Sequence, residues 1–141
     1  QIIKLKPRLV IIHSEAEVNH MHFAAELHKE NILSGIAVLQ DTRPERAFQV
    51  MHSFDHVLVF SGNLGYHGGK ANLSLLDKIK KIKEHHPEAE IGWDGGINDE
   101  NILQLIKEGV DVLNVGGFIQ KAKNPADAYA TLKALADNRD D

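Results

Sequence analysis

Five short apolar runs divide the chain, and each is followed by a segment whose apolar residues recur at helical spacing. The runs are continuous and rich in β-branched residues, which is typical of strands buried on both faces of a parallel sheet. They cover residues 8–13, 35–39, 56–60, 91–93 and 111–115. The helical segments cover residues 14–30, 42–53, 72–85, 98–109 and 124–135. This alternation predicts an α/β fold with a parallel sheet and right-handed crossovers.

Polar residues and glycines at the ends of these segments predict where the helices begin and end. Ser14-Glu-Ala-Glu17 and Thr42-Arg-Pro-Glu45 have the spacing of a capping box, so a helix should open at each. Asn98 and the pair Asn124-Pro125 are suited to helix starts. Gly109 is suited to a left-handed C-terminal cap. The connections between strands and helices should therefore be short.

The stretch Ile91-Gly-Trp-Asp-Gly-Gly-Ile-Asn98 indicates where chemistry could occur. Asp94 stands where the fourth strand stops, and Gly95 and Gly96 allow a sharp turn directly after it. A carboxylate at the C-terminal end of a parallel strand lies on the face where α/β proteins commonly place their active sites. A tight turn with a solvated aspartate would give the same pattern. Trp93 is expected to pack in the core.

Other strand ends also carry residues suited to binding. His13 ends the first run, a glycine-rich loop covers residues 61–70, and Gly116-Gly117 follows the fifth run. Glycine turns let an anion approach backbone N–H groups closely. With the Gly95-Gly96 turn, three strand ends carry such glycines, which predicts a phosphate site. The chain has neither a Walker loop nor the Gly-x-Gly-x-x-Gly spacing of a dinucleotide site. A small phosphorylated metabolite is therefore favoured over a nucleotide.

Composition narrows the class of protein. The 141 residues suit one domain, and 43% hydrophobic and 26% charged residues are ordinary for a globular protein. A formal net charge of −4 gives no electrostatic reason to expect nucleic acid or an anionic membrane as a partner. No apolar run approaches the ~20 residues that span a bilayer, and no signal peptide opens the sequence. The absence of cysteine suits a cytoplasmic location.

Several motifs together resemble the C-terminal part of ribulose-phosphate 3-epimerase, a (β/α)8 TIM-barrel family. Val57-Leu-Val-Phe-Ser-Gly-Asn-Leu-Gly-Tyr-His-Gly-Gly-Lys70 resembles the family's Val-Leu-Val-Met-Thr-Val-Asn-Pro-Gly-Phe-Gly-Gly-Gln. Trp93-Asp-Gly-Gly-Ile-Asn98 resembles its Val-Asp-Gly-Gly-Ile-Asn, and Val110-Asp-Val-Leu-Asn-Val-Gly-Gly117 its Ala-Asp-Val-Leu-Val-Ala-Gly-Ser. Val10-Ile-Ile-His13 with Glu15-Ala16 is similar to Thr-Val-His-Ala-Glu-Ala. The likeness covers most of the chain in the same order.

The resemblance implies an isomerase that converts ribulose 5-phosphate to xylulose 5-phosphate through an enediolate. Asp94 matches the family's strand-seven aspartate, which is both a proton-transferring group and a metal ligand. A divalent metal (zinc, iron or manganese) is therefore expected, with a phosphorylated sugar as the substrate. The substrate- and phosphate-binding residues expected from the resemblance and the strand-end positions are His13, Gly68, Gly69, Gly95, Gly96, Gly116 and Gly117.

Departures from the family pattern limit what this chain is expected to do alone. The family's other catalytic aspartate and two metal-binding histidines lie on barrel strands two and three, and nothing here matches strands one to three. The expected architecture is therefore a single partial barrel of five βα units over residues 1–141. A complete barrel needs about 200 residues, and five parallel strands leave two open edges. Pairing with the missing part of the barrel, or a homo-oligomer, should cover them, and the isolated chain is not expected to be a competent epimerase.

Two alternatives remain open from the sequence. One is a non-catalytic sugar-phosphate-binding relative that kept the anion site and lost the metal. The other is an open flavodoxin-like domain that acts through partner contacts, in which strand order would not follow the sequence.

The remaining polar residues have plain interpretations. Lys70 and the inserted His67 could touch a ligand beside the phosphate loop, and His20 and His22 point to different faces of a helix, which does not favour a metal site. The pair His85-His86 and the lysines between residues 78 and 83 are expected to be solvated.

Overall fold

A computed structural model describes residues 2–65 and 69–137 and shows a parallel sheet with helices between its strands. The strands are β1 (Leu9–His13), β2 (Leu33–Val38), β3 (His56–Phe60), β4 (Glu90–Asp94) and β5 (Val112–Asn114). The helices are α1 (His20–Lys29), α2 (Phe48–Met51), α3 (Leu76–His85), α4 (Ile102–Lys107), α5 (Gly117–Gln120) and α6 (Pro125–Asp137). Single 3-10 turns cover Ile2–Leu5, Pro44–Arg46 and Leu73–Leu75. No helix among the described residues is long and apolar enough to cross a membrane.

The strands lie side by side in the order of the sequence. The order within the described sheet is β1-β2-β3-β4-β5, and every neighbouring pair is parallel. This confirms the predicted α/β architecture of a partial (β/α)8 barrel and overturns the flavodoxin-like alternative, which requires a different strand order. Phe60 pairs with Asp94, and Asp94 pairs with Asn114. The C-terminal ends of β3, β4 and β5 therefore finish level with one another.

Alternate residues of the strands form the core between the sheet and the helices. The strand residues of this core are Ile36, Val38, Val57, Val59, Ile91 and Trp93, and the helix residues packed with them include Ile79, Ile82, Ile102 and Leu105. Trp93 is fully buried and its Nε1–H donates to Gly95 O at 3.0 Å, which confirms the prediction that it packs.

The opposite face of the sheet is tightly filled at its centre. A Cβ added to Gly92 would lie 2.5 Å from His56 Nε2, and one added to Gly35 would lie 2.8 Å from Ile11 Cγ1. His56 is 2% exposed, and its Nδ1 bonds to Glu90 Oε1 at 2.9 Å. Side chains from neighbouring strands therefore interdigitate here, as in the filled interior of a barrel.

Neither predicted capping box caps a helix, although a 3-10 turn does begin at Pro44. Asn19 caps α1 by accepting a hydrogen bond from His22 N–H at 3.0 Å, so this helix begins six residues after Ser14. Glu15 accepts from Leu39 N–H at 3.2 Å and also bonds to the Thr42 side chain. Glu15 therefore joins the segment before α1 to the loop after β2. Burial raises the pKa of Glu15, but these hydrogen bonds outweigh it and hold the pKa below its ordinary value.

The later helix ends follow the predictions more closely. Gly109 has a φ of +96°, as expected for a left-handed cap. Asn124 Oδ1 accepts from Ala126 N–H at 3.1 Å at the start of α6. Asn98 Oδ1 accepts from Glu100 N–H at 3.0 Å and stabilises a turn, while α4 itself begins at Ile102. The short helix α5 was not expected, because it has only four residues and begins at a glycine, so it has no helical pattern of apolar residues.

Lys78 is a structural tether, so the prediction of a solvated surface was wrong for this lysine, while Lys80 and Lys81 are exposed as expected. Its Nζ donates to Leu39 O at 2.8 Å, Gln40 O at 2.7 Å and Thr42 O at 2.6 Å. Burial lowers the pKa of its ammonium despite nearby carboxylates, with Asp41 the first of them. The side chain thus reaches from α3 to the loop after β2 and binds backbone carbonyls that lie beyond the end of the strand.

The prediction of solvated histidines at the end of α3 was also wrong. His85 stacks on Phe48 with ring centroids 4.0 Å apart, and its Nε2 donates to Phe48 O at 3.2 Å. His86 Nε2 donates to Phe54 O at 2.9 Å. Both side chains therefore attach the end of α3 to the segment around α2.

The turn after β4 packs directly on the chain that leaves β3. Gly95 and Gly96 have φ values of +121° and +70°. A Cβ on Gly95 would lie 2.6 Å from the carbonyl carbon of Ser61, and one on Gly96 would lie 2.0 Å from Ala71 N. Ser61 N–H also donates to Asp94 O at 2.7 Å. Both glycines are required by the fold, because backbone occupies the space that a side chain would need.

We expect Gly96→Ala to lower the free energy of unfolding by about 2–4 kcal/mol, since it combines a left-handed φ with a backbone clash. Urea denaturation measures the change. Gly116→Ala is the matched control, because a Cβ there meets no atom within 4 Å. The control should change stability by less than about 0.5 kcal/mol. Equal effects of the two substitutions would contradict this account of the turn.

We expect Lys78→Met to lower the free energy of unfolding by about 1–3 kcal/mol, because it leaves half-buried carbonyls without their donor. Amide hydrogen exchange should also accelerate across residues 39–42. Lys80→Met, at an exposed position of the same helix, is the control. A loop that exchanges at the wild-type rate in Lys78→Met would show that the tether does not hold it.

Candidate functional site

A cavity of about 290 Å³ opens at the C-terminal ends of β3, β4 and β5. The loops after these strands form its walls. The described lining residues are Phe60, Gly62, Asn63, Gly69, Asp94, Gly95, Gly96, Ile97, Asn98, Asn114, Gly116, Gly117, Phe118 and Lys121. The cavity therefore brings together Asp94 and five of the glycines predicted from the sequence. Gly68 and His67 lie outside the described residues.

Asp94 lies centrally in this arrangement. It is the last residue of β4, is half-buried, and is flanked by Phe60 on β3 and Asn114 on β5 in register. Among the described lining residues, it is the only carboxylate. Asp94 therefore lies at the cavity rather than within the core.

The glycines of the cavity divide into two kinds. Gly95 and Gly96 are fixed by the turn geometry described above. Gly69 and Gly116 have no atom within 4 Å of an added Cβ, and neither has a left-handed φ. Neither packing nor backbone strain requires glycine at those two positions. Their missing side chains keep open space in front of the backbone, which is the geometry that anion binding by N–H groups needs.

Several polar side chains of the cavity were not singled out from the sequence. Asn63, Asn98, Asn114 and Lys121 all line it. Asn63 Oδ1 accepts from Gln40 Nε2 at 3.1 Å, which links this wall to the loop that Lys78 holds. The signal for Asn114 was its place at a strand end shortly before the predicted phosphate turn. Lys121 has no such signal, because it reaches the cavity only through the unexpected helix α5.

His13 lies at the same end of the sheet but is not one of the residues that line the cavity. Its Nδ1 is 3.7 Å from Glu15 Oε2, and its ring meets Phe60 edge-on with centroids 6.4 Å apart. His20 Nε2 donates to His13 O at 3.0 Å, so this histidine of the 20–22 pair serves the backbone. A substrate contact by His13 stays a prediction.

The described residues do not form a metal site by themselves. No group of three or more His, Cys, Asp or Glu side chains in residues 2–65 and 69–137 is arranged to hold a metal ion. Asp94 offers one carboxylate ligand on this side of the cavity. The other polar side chains among the described lining residues belong to asparagines and Lys121, whereas zinc and iron prefer imidazole and carboxylate ligands. A metal ion held by Asp94 would need further ligands from beyond these residues.

Curated relatives of this chain are epimerases of greater length. The chain is 37% identical over 125 residues to the ribulose-phosphate 3-epimerase of Helicobacter pylori, an alignment that covers 85% of this chain and 57% of the relative. It is 30% identical over 131 residues to the enzyme of the same name from Mycobacterium tuberculosis, covering 90% of this chain and 57% of that one. The chain therefore spans little more than half the length of the curated relatives it matches.

Solved structures agree on the fold. A 3-hexulose-6-phosphate synthase from Salmonella typhimurium matches with a TM-score of 0.77 at 16% identity, covering 98% of this chain and 65% of that one. KGPDC from Streptococcus mutans matches with a TM-score of 0.75 at 16% identity, covering 99% of this chain and 66% of that one. At these identities the likeness establishes the TIM-barrel type of architecture and nothing finer.

The family model described as the ribulose-phosphate 3 epimerase family matches residues 1–120, which include all five strands and the lining of the cavity as far as Phe118. With the strand order, the Asp94 turn and the curated relatives in agreement, this chain belongs to the ribulose-phosphate 3-epimerase family.

Proposed function

We propose that this chain supplies five βα units of an isomerase barrel that epimerises ribulose 5-phosphate to xylulose 5-phosphate. The observation that carries the proposal is the shared cavity, in which Asp94 faces the same space as Gly69, Gly116 and Gly117. An acid/base group and an open glycine backbone are what a reaction next to the carbonyl of a sugar phosphate requires. Family membership supports the choice of substrate.

Asp94 is the acid/base group in this proposal. Its carboxylate takes the proton from C3 of the ketose, and the electron pair of that C–H bond moves into an enediolate. Return of a proton to the opposite face of C3 inverts that carbon and gives the epimer. The second step needs another group on the far side of the substrate. Since Asp94 is the only carboxylate among the described lining residues, that group comes from outside this part of the chain.

The phosphate is held by backbone N–H groups in this proposal. Gly69 and Gly116 have the open space that a phosphate oxygen needs, and Gly117 lines the cavity beside them. Gly95 and Gly96 shape the turn and also line the cavity, so they contact the sugar from the Asp94 side. His13 and Gly68 stay as further candidate substrate residues.

The expected zinc, iron or manganese ion would take Asp94 as one ligand. Its remaining ligands would have to come from the part of the barrel that this chain does not match. Such an ion would supply stabilisation of the negative charge that develops on the oxygens of the enediolate.

The expected partners are those that could complete the barrel. β1 and β5 are the outer strands of the described sheet, and open edges of parallel sheets are normally covered. We infer that residues 1–141 act as one partial-barrel domain that pairs with the rest of a barrel or with another copy of itself. A cytoplasmic location fits a pentose phosphate enzyme without cysteines.

The test follows deuterium incorporation at C3 of ribulose 5-phosphate in D2O by NMR. We expect the wild-type chain to bind the sugar phosphate and to exchange the C3 hydrogen, because Asp94 alone can remove and return a proton on one face. Xylulose 5-phosphate should not accumulate at a comparable rate. Asp94→Asn should keep binding within about 3-fold and lower exchange at least ~100-fold, as expected for loss of a general base.

Asn98→Ala, which alters a neutral side chain of the same cavity, is the control for local disturbance and should keep exchange within about tenfold. Exchange in Asp94→Asn at the wild-type rate would overturn the role of Asp94. Failure of the wild-type chain to bind ribulose 5-phosphate would overturn the proposed substrate.

A second candidate function is a sugar-phosphate-binding protein without catalysis. The observation that favours it is the lack of a second acidic group among the described lining residues of the cavity. Binding of ribulose 5-phosphate without C3 exchange, also after zinc, iron or manganese is added, would support this candidate over the isomerase.

A further inference from the structure

We propose that Lys121 is the charged ligand of the substrate phosphate and that it sets the direction in which the sugar enters the cavity. This inference rests on the proposed function, because it concerns the same cavity and substrate class. It adds a residue that lies just outside the family match, which ends at residue 120.

Lys121 is placed beside the open glycines by α5. Its N–H donates to Gly117 O at 3.0 Å, so it stands one helical turn after the Gly116-Gly117 pair. Lys121 lines the cavity that those glycines and Gly69 also line. Lys70, the candidate cation from the sequence, is exposed, as Lys121 is, but it is not among the described lining residues. The structure therefore moves the candidate from the glycine-rich loop to the end of α5.

The charge balance of the cavity calls for a cation at this point. Asp94 and Lys121 are the charged side chains among the described lining residues. A phosphomonoester carries a charge of about −1.5 to −2 near pH 7, so Asp94 repels it. Backbone N–H groups offer only partial charges. Lys121 lines the same cavity and carries a full positive charge, and hydrogen bonds between charged groups are stronger than neutral ones.

Orientation follows from the opposite charges. The phosphate binds at the Lys121 side, where Gly69 and Gly116 leave open space, and the carbon chain extends toward Asp94. Reverse entry would place two anions together. A ketose without phosphate makes no bond to Lys121. Loss of Lys121 should therefore lower the affinity for ribulose 5-phosphate and leave the affinity for ribulose unchanged.

The experiment measures dissociation constants of ribulose 5-phosphate, ribulose and inorganic phosphate by NMR titration for the wild type and three variants. We expect Lys121→Gln to raise the dissociation constants of ribulose 5-phosphate and phosphate about 10-fold or more, because a charge-assisted hydrogen bond is lost. Lys121→Arg should stay within about 3-fold, since it keeps the charge. Lys123→Gln, an exposed lysine outside the lining residues, is the matched control and should stay at wild-type affinity. Ribulose should bind all variants equally.

Three results overturn the inference, and they are distinguishable from one another. A wild type that binds ribulose 5-phosphate together with a Lys121→Gln variant of equal affinity shows that Lys121 is not a ligand, while the proposed function stands. A wild type that binds neither ribulose 5-phosphate nor phosphate overturns the proposed function and this inference together. An equal loss of ribulose affinity in Lys121→Gln shows general damage to the cavity and also overturns it. Urea denaturation of each variant confirms that the folded state is retained.

Discussion

The in-register parallel pairing of β3, β4 and β5 is the constraint on which the site depends. It brings Phe60, Asp94 and Asn114 to one level at the end of the sheet. Parallel strands require crossover connections, so each loop at this end leads into a helical segment and leaves room between neighbours. The turn of Gly95 and Gly96 then presses against the chain that leaves β3. The strand pairing and the packing of this turn together hold Asp94 at the cavity.

Supports distant from Asp94 complete the geometry of the cavity. Lys78 fixes the loop after β2 through backbone carbonyls, and Gln40 of that loop bonds to Asn63 in the cavity wall. Lys78 thus has a structural role at the loop after β2, whereas Lys121 lines the cavity. Sites built this way keep their reactive groups in position through packed neighbours rather than through the reacting residues alone.

Family membership and incomplete length belong together in the interpretation of function. The family match covers the half of the barrel that carries Asp94 and the glycine turns, and these are the parts proposed to hold a phosphate and to transfer a proton on one face. Epimerisation needs proton transfer on two faces. The chemistry proposed for the described cavity is therefore binding of the phosphate and proton transfer on one face of the substrate.

Strand positions, the parallel class, the Asp94 turn and the family were all determined by the sequence itself, because each depends on local runs of apolar residues and short motifs. Local patterns failed where long-range bonds competed with them. Asn19 rather than Ser14 caps α1, and Glu15 bonds to the loop after β2. Only the tertiary structure separated the glycines that the turn requires from Gly69 and Gly116, which face open space, because that distinction depends on which backbone lies opposite. It also decided that Lys78 is a tether and that Lys121 lines the cavity, since a long side chain is placed by the elements around it and not by its neighbours in sequence.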